Sequence, residues 1–262
     1  MPLNLPTRHN DQLQRLLEKV NTDVELHQLW KSANINAVDR SGISDHGEVH
    51  IRIVANAALR LLRLLADAGV QPSVQKNYGL TQAEAEVIVV LAACLHDVGI
   101  AIHRDNHESY SLVLAAPKLR ELLRDLYDEP ARTIILAETL HAIIAHNSEQ
   151  KCLTLEAGVV KVADALDMTQ GRSRIPFEAG AVNIHAISAA AVDKVAIVKG
   201  DATPIRIEVT MSNSAGIFQL DALLKKKLRN STLAPYVQVR AHIAGETEKR
   251  LLDVYSIEER QD

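Results

Sequence analysis

The chain has 262 residues, enough for one large domain or for one domain with a small second one. Apolar residues make up 47% of the chain and charged residues 24%, which is ordinary for a folded globular protein. The net charge of −4 provides no general attraction to nucleic acid or to an anionic membrane, so we expect neither as a partner.

The cysteine content and the hydropathy pattern predict the cellular compartment of the protein. Cys94 and Cys152 are too few for a disulfide framework, which indicates a reducing compartment. The N-terminus lacks the basic segment followed by an apolar segment that is typical of a signal peptide. The longest apolar run, near residues 87–95, is too short to span a bilayer. We therefore expect a cytoplasmic protein.

The first part of the chain has the periodicity of helices. Apolar residues recur at helical spacing over residues 11–31, opposite a charged face. Asp45 followed by Glu48 has the pattern of a capping box, which predicts a helix that begins at His46. This helix is expected to end at Gly69.

The middle of the chain predicts further helices, one of them buried. Thr81 and Glu84 form a second capping-box pattern. The segment that follows is apolar nearly all round and ends at Gly99, which indicates a helix at the centre of the domain. Three more helical stretches follow at 107–127, 131–146 and 154–168.

The pattern changes after about residue 175. Period-two alternation predicts strands at 193–199, 205–211 and 236–243, and helical spacing predicts a helix at 217–229. We predict an α+β protein with a boundary near residues 175–185. An all-helical domain would span residues 1–178, and a small α/β domain of open role would span residues 179–262.

Histidine and aspartate residues in the helical part point to metal chemistry. Seven of the eleven histidines fall between His46 and His146. His96 and Asp97 close the apolar helix, and two polar groups at a domain centre are costly unless they bind something. Asp164 lies in an otherwise apolar helical turn and also needs a partner. A metal ion would satisfy these groups.

The order His46, then His96-Asp97, then Asp164 resembles the H…HD…D signature of the HD-domain superfamily of metal-dependent phosphohydrolases. The similarity covers roughly residues 40–175. It implies that these four residues bind one divalent metal and that Asp97 bridges to a second when two are present. His107 and His146 match the additional histidines of two-metal members.

A neighbouring histidine competes with His146 for the second ligand position. His141 lies five residues earlier, about 140° away around a helix, so the two are not expected to bind one ion. We favour His146 and leave His141 as an outer or substrate residue.

Nitrogen and carboxylate ligands without thiolate suit one or two ions of Mn, Fe, Ni, Zn or Mg. Bound metals would lower the pKa of a water molecule and polarise a phosphoryl oxygen. Asp97, the ligand shared by both metals, is predicted to be essential for catalysis. Positive charge must balance the phosphoryl oxygens, and Lys161, Arg172 and Arg174 are the candidates. Many family members carry a lysine shortly after the HD pair, where this chain has Ile100.

Three functions stay open. The first is hydrolysis of a small phosphate ester, with a nucleotide as the first substrate to consider. The second is a di-iron oxygenase, and the third is a non-catalytic sensor with a metal site. A homodimer also stays open. His50 is explained equally well by a contact with solvent or with Glu48 as by a role in the site. Lys225–Lys227 are predicted to form a solvated helix face, and nucleic-acid binding by these lysines is not expected.

Overall fold

The computed structural model describes residues 2–8, 10–169 and 188–244, together with the backbone of Val254–Ile257. Eight helices form the first part of the described chain: α1 Asp11–Thr22, α2 Val24–Asn34, α3 Glu48–Asp67, α4 Ser73–Tyr78, α5 Gln82–Leu95, α6 His107–Leu123, α7 Glu129–Ala145 and α8 Leu155–Ala165. A π-helical turn at Ile35–Arg40 follows α2, and a 3₁₀ turn at Val98–Ala101 follows α5.

The helix starts follow their capping residues. The capping box of Thr81 and Glu84 is confirmed at the start of α5. The single helix predicted over residues 11–31 is divided in two, because the side chain of Asp23 accepts a hydrogen bond from the backbone N–H of Leu26 and starts α2.

The predicted start of α3 at His46 is wrong. Gly47 is the N-cap, and the helix begins at Glu48. The carboxylate of Asp45 accepts hydrogen bonds from the backbone N–H groups of Gly47 and His50. His46 therefore lies in the loop before the helix, whereas His50 lies in its first turn.

The central helix is α5, as predicted. Its residues from Ala85 to Leu95 are all buried, and it packs against α1, α3, α7 and α8. The indole N–H of Trp30 on α2 donates to the carbonyl of Cys94 at 2.7 Å, which ties α2 to the end of α5. The end of α5 is thus held deep within the helical part.

The C-terminal part contains a four-stranded sheet in the order β1-β2-β3-β4. The strands are β1 Val192–Lys199, β2 Ile205–Met211, β3 Val237–Ile243 and β4 Val254–Ile257. Strands β2 and β3 are parallel, and the β1–β2 and β3–β4 pairs are antiparallel. The three predicted strands are present, and β4 is an additional one.

The segment between the two parallel strands is helical, as predicted. Three consecutive pieces, Ile217–Gln219, Leu220–Lys225 and Lys226–Arg229, form it, and the middle one is wound as a π-helix. We refer to them together as α9. The helix α9 packs against α8, while β1 and β2 pack against α3.

The sheet and the helices share one continuous apolar core in the described residues. Ile207, Val209 and Val239 of the sheet and Leu224 of α9 belong to the same buried cluster as α3, α5 and α8. The fold is α+β, with a helical body and a small C-terminal sheet. The predicted boundary near residues 175–185 lies outside the described residues. Among the described helices, none has the length and apolarity needed to cross a membrane.

Candidate metal centre

Six buried side chains converge at the centre of the helical part. They come from the starts of α3 and α6, the ends of α5 and α7, and from α8. Overlapping groups of their ligand atoms lie within 4.8 Å of one another. The six are His50, His96, Asp97, His107, His146 and Asp164.

The turn after α5 places the His-Asp pair. His96 is the C-cap of α5, and Asp97 precedes the 3₁₀ turn. The hydroxyl of Ser111 on α6 donates to the carbonyl of His96 and accepts from the N–H of Gly99. A Cβ at Gly99 would lie 2.1 Å from the carbonyl oxygen of His107, so only glycine lets α6 approach this closely.

The two oxygens of Asp97 face two different pairs of histidines. Oδ2 lies 3.3 Å from Nε2 of His50 and 3.1 Å from Nε2 of His96. Oδ1 lies 3.1 Å from Nε2 of His107 and 3.7 Å from Nε2 of His146. Asp97 therefore lies between two pairs of histidines, and we call His50 and His96 the first half-site and His107 and His146 the second.

Asp164 lies beside the first half-site and also forms a ligand group with His96 and His146. Its Oδ1 lies 3.4 Å from Nε2 of His50 and 3.8 Å from Nε2 of His96. Ligand atoms held about 2.1 Å from one ion would lie about 3.0 Å apart along octahedral edges and about 3.4 Å apart along tetrahedral ones. The observed separations are close to these values, so the residues fit a metal ion.

The imidazole rings are oriented for metal binding by hydrogen bonds at their other nitrogen. Nδ1 of His96 lies 2.9 Å from the carbonyl of Ala93, and Nδ1 of His146 lies 2.6 Å from the carbonyl of Ile143. A carbonyl only accepts, so each Nδ1 carries a proton, and a ring in its neutral form turns an Nε2 lone pair toward the cluster. Lone pairs that face carboxylate oxygens need a cation between them.

His50 and His107 follow the same arrangement. Nδ1 of His50 lies 2.6 Å from Oδ2 of Asp167. Nδ1 of His107 lies 3.1 Å from the carbonyl of Arg104, and the guanidinium of Arg104 lies 2.8 Å from the same nitrogen. A contact with the carbonyl requires a proton on Nδ1, which leaves the lone pair on Nε2 for a metal. A contact with the guanidinium would require the opposite tautomer. We therefore place the proton of His107 on Nδ1.

The electrostatics keep these groups in their ligand forms. Burial alone would raise the pKa of Asp97, but in the metal-free protein the charge of a protonated His96 and hydrogen bonds from the histidines hold it well below its usual value. Burial likewise opposes ionisation of Asp164, and the charge of Lys227 outweighs it, so that pKa is also well below normal. Burial and the charge of His96 lower the pKa of His146 well below its usual value. Ionised carboxylates and a neutral imidazole are the forms that bind metal.

Comparison with known proteins agrees with this geometry. The family model of the HD domain matches residues 48–169. The chain belongs to the HD-domain superfamily. All six residues of the cluster lie inside the matched range of the HD domain, and His46 lies outside it. HD domains generally bind divalent metals and hydrolyse phosphate esters, and this cluster could hold such ions.

The similarity to one relative extends beyond the HD domain. The uncharacterized protein MJ1020 of Methanocaldococcus jannaschii is 42% identical over 240 residues, which cover 92% of this chain and 90% of that protein. The similarity therefore includes most of the C-terminal part as well as the HD domain. No solved structure matches the chain significantly.

His50 has the place that the sequence predicts for His46. The ring of His46 lies 5.4 Å from that of His50 and is in none of the three ligand groups, and its Nδ1 lies 2.6 Å from the carbonyl of Ser44. The sequence also contains a pattern that distinguishes His50 from His46, because His50 occupies an apolar position of α3. It continues the buried stripe of α3 through Val54, Ala58 and Leu61, where a histidine is unusual.

A cavity of about 530 Å³ opens beside the cluster. Its lining includes Asp97, His107, His146 and Asp164 as well as His46. Residues of α9 form another part of the wall: Gln219, Ala222, Leu223, Lys226 and Lys227. The ammonium of Lys227 forms an ion pair with the carboxylate of Asp164. The predicted solvated face is wrong for Lys227, because α9 docks on α8 and brings this lysine to the cavity.

The other residues predicted for catalysis lie either away from the cavity or outside the described residues. Lys161 is fully buried, its ammonium donates to the carbonyls of Gln150 and Asn230, and it is not among the lining residues of the cavity. Arg172 and Arg174 lie outside the described residues and stay predictions. His141 accepts a hydrogen bond from the backbone N–H of Leu153 and is not part of the cluster.

Proposed function

We propose that this HD-domain protein is a metal-dependent phosphohydrolase that acts on a small phosphate ester. The position of Asp97 between the His50–His96 pair and the His107–His146 pair carries the proposal. His50, His96, Asp97 and Asp164 would hold one divalent ion, and Asp97, His107 and His146 would hold a second.

The ligand chemistry supports a group of metals rather than one. Four imidazoles and two carboxylates, without a thiolate, suit Mn, Fe, Ni and Zn. When bound, such ions supply a water molecule of lowered pKa and a positive charge for the phosphoryl oxygens. The role of the chain is to hold the ligands in place and to bind the substrate beside them.

The cavity supports a small substrate. A volume of about 530 Å³ lies within the range of small-molecule sites and is large enough for a nucleotide. Ile43 and Leu223 give it apolar surface, whereas Arg104 and Lys227 give it positive charge. A nucleotide has an apolar face and an anionic end, so nucleotides are the first substrates to test.

Release of phosphate from nucleoside mono-, di- and triphosphates and from p-nitrophenyl phosphate tests the proposal. The protein is first stripped with a chelator and then loaded with Mn²⁺, Ni²⁺, Zn²⁺ or Fe²⁺. We expect turnover of at least one compound that depends on the metal. Asp97→Ala should reduce turnover by more than about 100-fold, because even outer partners of metal ligands contribute about 10 to 100-fold. His141→Ala, which removes a histidine of α7 outside the cluster, is the matched control.

Oxygen uptake and metal content, measured on the same loaded preparations, separate the two alternatives. Metal-dependent oxygen consumption by the iron-loaded protein, without phosphate release, would support the di-iron oxygenase. Stoichiometric metal binding without turnover of any phosphate ester would support the sensor. Either result would contradict the phosphohydrolase.

A further inference from the structure

We propose that Lys227 of α9 binds the anionic group of the substrate, so that the C-terminal part of the chain forms one wall of the active site. This inference rests on the proposed function, because it assigns the charged contact of the same site. It also gives the C-terminal part a role that the HD domain alone does not supply.

The position of Lys227 is the first observation. Its side chain is only 16% exposed, lines the cavity and forms an ion pair with Asp164. The neighbouring Lys226 also lines the cavity, but it is 47% exposed and pairs with Glu149. Lys227 is therefore the lysine that reaches the metal ligands, and Lys226 lies nearer the solvent.

The helix that carries Lys227 is anchored on both sides of it. Leu224 and Leu228 are buried in the shared core. Beyond them, the side-chain amide of Asn230 donates to the carbonyl of Ser148, and the carbonyl of Asn230 accepts from the N–H of Cys152. These contacts fix α9 against the helical body and hold the ammonium at the cavity.

The charge of the cavity is the second observation. The described lining contains the acids Asp97, Glu108, Asp164 and Asp167 and the cations Arg104, Lys226 and Lys227. Bound divalent ions would neutralise the ligand carboxylates. The three cations would then exceed the two remaining acids, Glu108 and Asp167, and this excess of positive charge favours an anionic ligand.

The carboxylate of Asp164 is shared between two partners. Its Oδ2 contacts Lys227, and its Oδ1 faces His50 and His96. A divalent ion on Asp164 would repel the ammonium and weaken this ion pair. Lys227 then becomes available to a phosphate group in the cavity. Lys227 should therefore oppose metal binding slightly and favour phosphate binding.

Calorimetry on the whole chain tests both effects. Mn²⁺ is titrated into the metal-free protein, and inorganic phosphate is then titrated into the Mn²⁺-loaded protein. For Lys227→Met we expect phosphate affinity to fall by about 10-fold or more, as for loss of a hydrogen bond between charged groups. Mn²⁺ affinity should rise severalfold. Lys227→Arg keeps the charge and should retain most of the phosphate affinity.

Lys225→Met is the control for the loss of one positive charge from the same helix. Lys225 pairs with Asp221 and does not line the cavity. Its removal should change neither affinity by more than about twofold. Equal effects of Lys225→Met and Lys227→Met would overturn the proposal, and so would a loss of Mn²⁺ affinity in Lys227→Met. No phosphate binding by the loaded wild type would also overturn it. If the binding changes occur as expected but the protein releases phosphate from no ester, the anion site is supported and the proposed hydrolase is contradicted.

Discussion

Nδ1 of His50 lies 2.6 Å from Oδ2 of Asp167, which joins the first turn of α3 to the residues just after α8. This hydrogen bond orients the ring so that Nε2 faces Asp97 and Asp164. A carboxylate behind a ligating imidazole fixes the ring and raises its basicity.

We predict that Asp167→Asn weakens metal binding by about 10 to 100-fold, because the amide cannot supply the charge that supports His50. Isothermal titration with Mn²⁺ measures the change. Thermal unfolding of the metal-free variant, with a melting temperature near that of the wild type, is the control for folding. An unchanged Mn²⁺ affinity would show that Asp167 does not support a ligand.

His46 and His50 provide a direct comparison, since they are four residues apart and both lie near the site. We predict that His50→Ala loses metal, because Nε2 of His50 belongs to the first half-site. His46→Ala should keep its metal content and change substrate binding instead, because His46 lines the cavity. Elemental analysis of both variants decides between them. Loss of metal in His46→Ala alone would reverse the assignment.

Much of this site could be predicted from the sequence, because its signals are local. The apolar periodicity of α5 and the polar pair that ends it locate His96 and Asp97. The predicted ligands His107, His146 and Asp164 also lie in the cluster.

The choice of His50 over His46 depends on a tertiary contact. A Cβ at Gly47 would lie 2.9 Å from Cβ of Asn34, and the amide oxygen of Asn34 accepts from the N–H of His46. These contacts with α2 start the helix at Glu48. The approach of Lys227 to Asp164 likewise depends on how α9 packs on α8, which periodicity along the chain does not encode.

Removal of one partner from the buried pair of Arg63 and Glu86 should destabilise the protein strongly. Two hydrogen bonds of 2.7 and 2.9 Å join the guanidinium to the carboxylate, and Arg63 also donates to the carbonyl of Pro6. We predict that Arg63→Met lowers the free energy of unfolding by about 3–5 kcal/mol, because Glu86 is left buried without a counter-charge and keeps only the hydrogen bond from the amide of Asn10. Urea denaturation measures this loss. The double variant Arg63→Met/Glu86→Leu should recover part of it, and a loss below about 1 kcal/mol in the single variant would contradict the prediction.

The thiol of Cys94 should make the protein less stable in alkali. Burial raises the pKa of Cys94 to about 12. An unfolded thiol has a pKa of about 8.5, so between these values the unfolded chain loses the proton and the folded chain keeps it. The folded state binds more protons in this window, and its stability therefore falls as pH rises, by up to about 1.4 kcal/mol per pH unit.

Urea unfolding between pH 8 and 10, with wild type beside Cys94→Ala, measures this dependence. The variant has lost the titrating group, so its stability should fall less steeply with pH. Parallel pH dependences in the two proteins would show that Cys94 does not contribute.

The metal content of the loaded protein tests the central claim most directly. Wild type and Asp97→Ala are stripped with a chelator, loaded with excess Mn²⁺, desalted and analysed for manganese per chain. We predict about two ions per chain in the wild type and a loss of both in Asp97→Ala, because this carboxylate faces both half-sites. No bound metal in the wild type, or equal contents in the two proteins, would contradict a dinuclear centre bridged by Asp97.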